Sequence, residues 1–165
     1  MPARQDLIET MAADPGALVE QVAKDLRVTA REVVHALPDA MRCFAPGQAF
    51  AEVMHAIGSW GEVTVIVHTD DGIMEFTGPV PAGEIARGYY NIPGRTGFHG
   101  HIRHERCAQI AFVERPFMGR PSASILFLNA DGGIMFKVFV GRDDRRELKA
   151  DQLEKFRSLA RRLSA

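Results

Sequence analysis

Residues 122–140 read SASILFLNADGGIMFKVFV. Two apolar runs, SASILFLN and IMFKVFV, flank Ala130-Asp131-Gly132-Gly133, a composition that supplies the turn conformations a tight β-connection needs, so the stretch predicts a hairpin. Just upstream, CAQIAFVER (107–115) has Ile110 and Phe112 in phase and predicts a further strand. GEVTVIVHT (61–69) alternates Val63, Val65 and Val67 against Glu62, Thr64, Ile66 and His68. Asp70-Asp71-Gly72 then turns the chain into IMEFTGPV (73–80). Pro79, Pro81 and Gly83 interrupt the pattern before GYYNI (88–92), a short aromatic strand closed by Pro93-Gly94.

The period changes to that of a helix at both ends. Asp14 before Pro15 reads as an N-cap and first helical position, with Leu18, Val22, Ala23 and Leu26 on one face. Thr29 with Glu32 fits a capping box that opens a second short helix, TAREVVHAL, closed by Pro38. Phe50, Val53, Met54 and Ile57 predict a helix over 48–58 that Gly58 stops, and Leu153, Phe156, Ala160 and Leu163 predict an amphipathic helix near the end of the chain. Helices at the ends and hairpin-linked strands between them argue for an α+β fold with a large, mainly antiparallel sheet. One domain, residues 1–165, accounts for this: a helical N-terminal cap (1–45), a sheet region (46–148) and a C-terminal helix (149–165).

The 165 residues are 46% hydrophobic and 25% charged, the profile of a globular chain of about one domain. No stretch approaches the roughly 18 apolar residues of a spanning helix, and MPARQDLIET lacks the layout of a secretory signal, so a cytoplasmic protein without a membrane partner is expected. The formal charge is −1, with −2 over residues 1–45, −2 over 46–140 and +3 over 141–165. That balance gives nucleic-acid binding no support, although the two short helices before Pro38 have the outline of a helix-turn-helix with Arg31 and His35 on the second. Cys43 and Cys107 stand alone, without CxxC or haem-attachment spacing, and read as reduced thiols. GxGxxG after a strand, GxxxxGKS/T, GxSxG and HExxH do not occur, which removes most of the case for phosphate-cradling and nucleophile-elbow chemistry.

Histidine placement is the chemical signal. His68 ends a strand, and His99, His101 and His104 lie within GRTGFHGHIRHER (94–106). On an extended segment His99 and His101 share a face, whereas His101 and His104 share one only on a helix. Three readings stay open at this level: clustered surface histidines, a zinc site completed by His68 or Glu105, and a haem site. For haem, Ile66, Phe76, Tyr89, Tyr90, Phe98, Phe112 and Met118 could flank a porphyrin, and Arg87, Arg95, Arg103, Arg106 and Arg115 could meet its propionates. The segments ERPFMGRPSAS and FKVFVGRDDRREL are compositionally distinctive, the former as a turn with a buried Phe117-Met118 anchor and the latter as a charged loop after a strand.

Taken in order, LVEQVAKDLRVTAREVVHALP, WGEVTVIVHT, EFTGPVPAG, GYYNIPG, GHIRHE, ERPFMGRPSASILFLN and MFKVFVGRDDRREL resemble the HutX/ChuX family of bacterial intracellular haem-utilisation carriers over nearly the full chain. The resemblance implies a cytoplasmic homodimer that binds haem (iron protoporphyrin IX) and hands it to a downstream haem-degrading protein. It implies two histidine ligands to the haem iron, one at the VHT strand end and one in GHI, which are His68 and His101 here. His99 and His104 inherit no role from it. A haem-degrading enzyme and a haem-responsive DNA-binding regulator are the rival functions.

Overall fold

The hairpin anticipated at 122–140 lies at the centre of a six-stranded antiparallel sheet in a computed structural model that describes residues 4–164. The helices are α1 (Arg4–Ala13), α2 (Val19–Leu26), α3 (Ala30–His35), α4 (Phe50–Gly58) and α5 (Ala150–Leu163). The strands are β1 (Arg42–Pro46), β2 (Glu62–Thr69), β3 (Gly72–Pro79), β4 (Glu84–Ala86), β5 (Tyr89–Ile92), β6 (Gly100–Ile102), β7 (Cys107–Phe117), β8 (Arg120–Asn129) and β9 (Ile134–Phe139). The large sheet runs β1-β7-β8-β9-β2-β3, and a separate three-stranded sheet runs β4-β5-β6.

Register sorts the side chains of the large sheet onto two faces, because directly opposed residues of an antiparallel pair share a face. Val65 opposes Phe76 on one side and Val138 on the other, and Val138 opposes Ile125. This face is covered by α4, α5 and the small sheet, through Phe50, Ile57, Tyr90, Ile92, Phe156 and Leu159. Phe50 sits edge-on to Tyr90 and Phe127 at ring separations of 5.3 and 5.2 Å, and burial of such a ring contributes about 2–3 kcal/mol. The next residues along, Ile66, Lys137 and Leu126, oppose one another on the second face. There α1, α2 and α3 lay Leu7, Met11, Val19, Val33 and Val34 against Ala111, Val113 and Leu126.

Two polar devices fasten the elements. The capping box of α3 forms in both halves: the Glu32 N–H donates to Thr29 Oγ1 at 3.2 Å, and the Thr29 N–H donates to Glu32 Oε2 at 2.7 Å. That N–H holds the Glu32 carboxyl below its ordinary pKa. At the other end Gln152 of α5, only 1% exposed, donates to the Trp60 and Glu62 carbonyls and accepts the Gly141 N–H, so all its polar atoms are used where β2 begins.

The structure departs from the sequence reading in five places, one of them the β7–β8 turn, where Met118 is 87% exposed and not part of a buried anchor. Asp14-Pro15 opens a turn and not α2, which starts at Val19 behind an uncapped Leu18. The cause lies elsewhere in the chain: Arg115 of β7 donates to the Pro15 and Ala17 carbonyls at 3.0 and 2.6 Å, taking acceptors a helix begun at Pro15 would have used. α1 precedes this turn and buries only Leu7 and Met11, too faint a stripe to delimit from the pattern. β1 pairs with β7 from Arg42, so sheet structure begins inside the segment assigned to the helical cap. The small sheet was legible only as GYYNI, because three-residue partners such as β4 and β6 carry no readable period.

Candidate functional site

His101 occupies the middle of β6, opposite Asn91 of β5. Gly100 precedes it with φ +151°, a conformation that L side chains rarely adopt, so this position in the loop-to-strand passage favours glycine. The Asn91 amide nitrogen faces the carbonyls of Glu84, Ala86 and Tyr89 at 3.3, 3.1 and 3.2 Å. Its oxygen is thereby turned to His101 Nδ1, 2.6 Å away. An amide oxygen only accepts, so Nδ1 carries the proton and Nε2 keeps its lone pair, the form in which imidazole ligates a metal. Tyr89 stands edge-on to the imidazole at 6.1 Å and carries the Arg103 guanidinium over its own ring at 5.5 Å. Beside His101 a half-open cavity of about 560 Å³ is lined by Gly83, Ile92, Pro93, Gly94 and His99, within the size range of small-molecule sites.

His68 sits in different surroundings. It follows Ile66 on β2 at the spacing of two and so projects from the second face, beside α2. Its Nδ1 lies 3.4 Å from Glu20 Oε1, and Lys137 Nζ lies 2.5 Å from the same oxygen. The His68 side chain is 17% exposed and that of Lys137 7%. Arg115 is buried nearby, and burial pulls its guanidinium below the ordinary value while Glu20 and Asp14 push it back up.

The two histidines anticipated as a pair are therefore not brought together within the single chain. His68 leaves the face that carries the N-terminal helices, while β6 belongs to the sheet packed over the other face through Tyr90 and Ile92. The remaining histidines have local partners. His99 Nδ1 pairs with the Gly97 carbonyl, His55 Nε2 with the Gly83 carbonyl, and His35 Nε2 with Gln109 while its ring stacks on Phe44 at 4.0 Å. His104 lies half-buried in a single helical turn beside Phe50. Among the described residues no three histidine, cysteine, aspartate or glutamate side chains are grouped to hold a metal ion, so the zinc arrangement is not built.

Several expected helpers are also displaced. Tyr90 and Phe112 are sealed in the core, where they cannot flank a ligand, while Ile66, Phe76, Tyr89 and Phe98 are only partly buried. Arg115 is on the face opposite the small sheet and spends its donors on the turn before α2, and Arg106 pairs with Asp131 at 2.7 Å. Arg87, Arg95 and Arg103 remain exposed around β5 and β6. Both cysteines are free thiols, and burial raises the Cys107 thiol to about 11, which leaves it inert at neutral pH. Asn91, Glu20 and Lys137 were not anticipated, since only strand register and helix docking bring them to the imidazoles.

An α+β protein with an imidazole oriented by a hydrogen bond beside an open cavity has the form of a small-molecule binding protein. The chain belongs to the haem utilisation ChuX/HutX family, whose model matches residues 43–159. It is 37% identical over 157 residues to the intracellular haem transport protein HutX of Vibrio cholerae serotype O1, covering 94% of this chain and 81% of that one. A crystal structure of an Erwinia carotovora protein superposes with TM-score 0.91 at 44% identity, covering 95% of this chain and 98% of the other. The structure of the haem-binding protein ChuX superposes with TM-score 0.88 at 43% identity, covering 96% and 99%. No helix among the described residues is long and apolar enough to cross a membrane.

Proposed function

We propose that this protein is a non-enzymatic carrier that binds haem reversibly through His68 and His101 and passes it to a downstream haem-degrading protein in the cytoplasm. The observation that carries the reading is the Asn91–His101 pair, which presents a lone-pair Nε2 beside the 560 Å³ cavity. The haem transport and haem binding named for HutX and ChuX support the same reading. Haem is the cargo, and an open cavity suits it, because a carrier has to release what it holds. The two imidazoles leave opposite faces of the molecule, so shared ligation of one iron takes them from two subunits, and a homodimer is part of this proposal.

Titrating haemin into the wild type, His68→Leu, His101→Leu and the double variant, with absorbance spectra and size-exclusion elution recorded, tests it. Each single variant is expected to weaken or alter the haem spectrum, and the double variant to abolish specific ligation. A wild-type spectrum identical to free haemin, or unaltered binding by the double variant, overturns it. Adding a reductant and oxygen to the complex separates carrier from enzyme: sustained turnover with released tetrapyrrole product overturns the non-enzymatic assignment.

A further inference from the structure

Glu20 is an unusual carboxylate. Both of its oxygens are buried on the second face of the large sheet, and neither makes a hydrogen bond of good geometry, although Lys137 Nζ and His68 Nδ1 both approach Oε1. The residue belongs to α2, whose approach to the sheet is set by the two Arg115 hydrogen bonds to Pro15 and Ala17. A buried ion pair of this kind contributes little net stability, because desolvation of both charges offsets their attraction. An apolar pair of similar volume would serve packing as well. What an apolar pair could not do is face an imidazole with an acceptor.

We propose that Glu20 is the positioning residue of His68: its carboxylate accepts the Nδ1–H and leaves Nε2 as the nitrogen offered to haem iron. The assignment rests on the reading that His68 binds haem. A carboxylate only accepts, so the nitrogen that faces it carries the proton, and the charge behind it makes Nε2 a more strongly donating ligand. Lys137 neutralises the carboxylate, so the arrangement adds no net charge to the buried site. The 3.4 Å separation closes to a hydrogen bond with a few tenths of an ångström of side-chain movement. On this assignment the N-terminal helices are part of the cargo site, since α2 supplies the group that orients the ligand.

The test is made in a His101→Leu background, where His68 is the one ligand under examination. Glu20→Gln is expected to weaken haemin binding by about 10- to 100-fold, lower the ferrous iron–histidine stretching frequency in resonance Raman spectra, and raise the haem reduction potential. The last two readouts report the donor strength of the imidazole and do not move for a purely structural role. Glu20→Gln combined with Lys137→Met removes the stranded cation and is expected to show the same haem changes if the single variant folds poorly. Unchanged affinity, frequency and potential in either folded variant, with His68→Leu still abolishing binding, overturns the role of Glu20 alone. Binding left intact by His68→Leu in this background overturns the assignment of His68 itself.

Discussion

His68 and His101 are one residue type offered from two unlike supports. His101 is held on a small, exposed sheet by a neutral amide whose own donors are committed to three carbonyls. His68 stands at the end of a strand of the large sheet, against a carboxylate that is itself tied to a buried lysine. The neutral support fixes orientation and tautomer with little electrostatic penalty, and it can fail locally. The charged support couples the imidazole to the packing of α2 on the sheet, so damage there spreads into the fold.

The sharpest way to break the comparison is Lys137→Met. It leaves the Glu20 carboxylate buried without its cation and is expected to cost about 3 kcal/mol, read from chemical denaturation midpoints, with most of the loss recovered on adding Glu20→Gln. Haem ligation by His101 should be unaffected once the protein is folded. Asn91→Leu is the matching change on the other side. In a His68→Leu background it is expected to weaken haemin binding about tenfold while global stability falls by about 1–2 kcal/mol, because the released carbonyls are re-solvated at the surface. The smallest effect is expected for Thr29→Ala, which removes the α3 capping box at a cost of about 1 kcal/mol in thermal or denaturant unfolding. Haemin titrations should not register it, since the capping box pairs Thr29 with Glu32 and supports neither imidazole.

What could be read before the structure follows the same division. The β8–β9 and β2–β3 hairpins declare themselves because apolar or alternating runs flank turn residues, and register then follows from the turn; Asn129 Oδ1 accepting the Asp131 and Gly133 N–H groups shows that chemistry at work. The capping box was readable because its partners lie three residues apart. β4 and β6 were not, being too short for a period, and the start of α2 was misplaced because a side chain from β7 decides it. For the site, the residue types and their crowding between 94 and 106 were visible, and the choice of His68 and His101 came through family resemblance. Their supports were out of reach: Asn91 meets His101 through strand register, and Glu20 meets His68 only when a helix docks across the sheet.

Gln152 has a mechanical corollary. It clamps the first residues of β2, whereas His68 lies six residues further on, about 20 Å along an extended strand. Between those two points β2 is laddered to β3 throughout and to β9 at Thr64–Ile66, so a disturbance of α5 must bend a braced beam before it displaces the imidazole. A disturbance at the C-terminal helix thus leaves the far end of the strand with its aim unchanged.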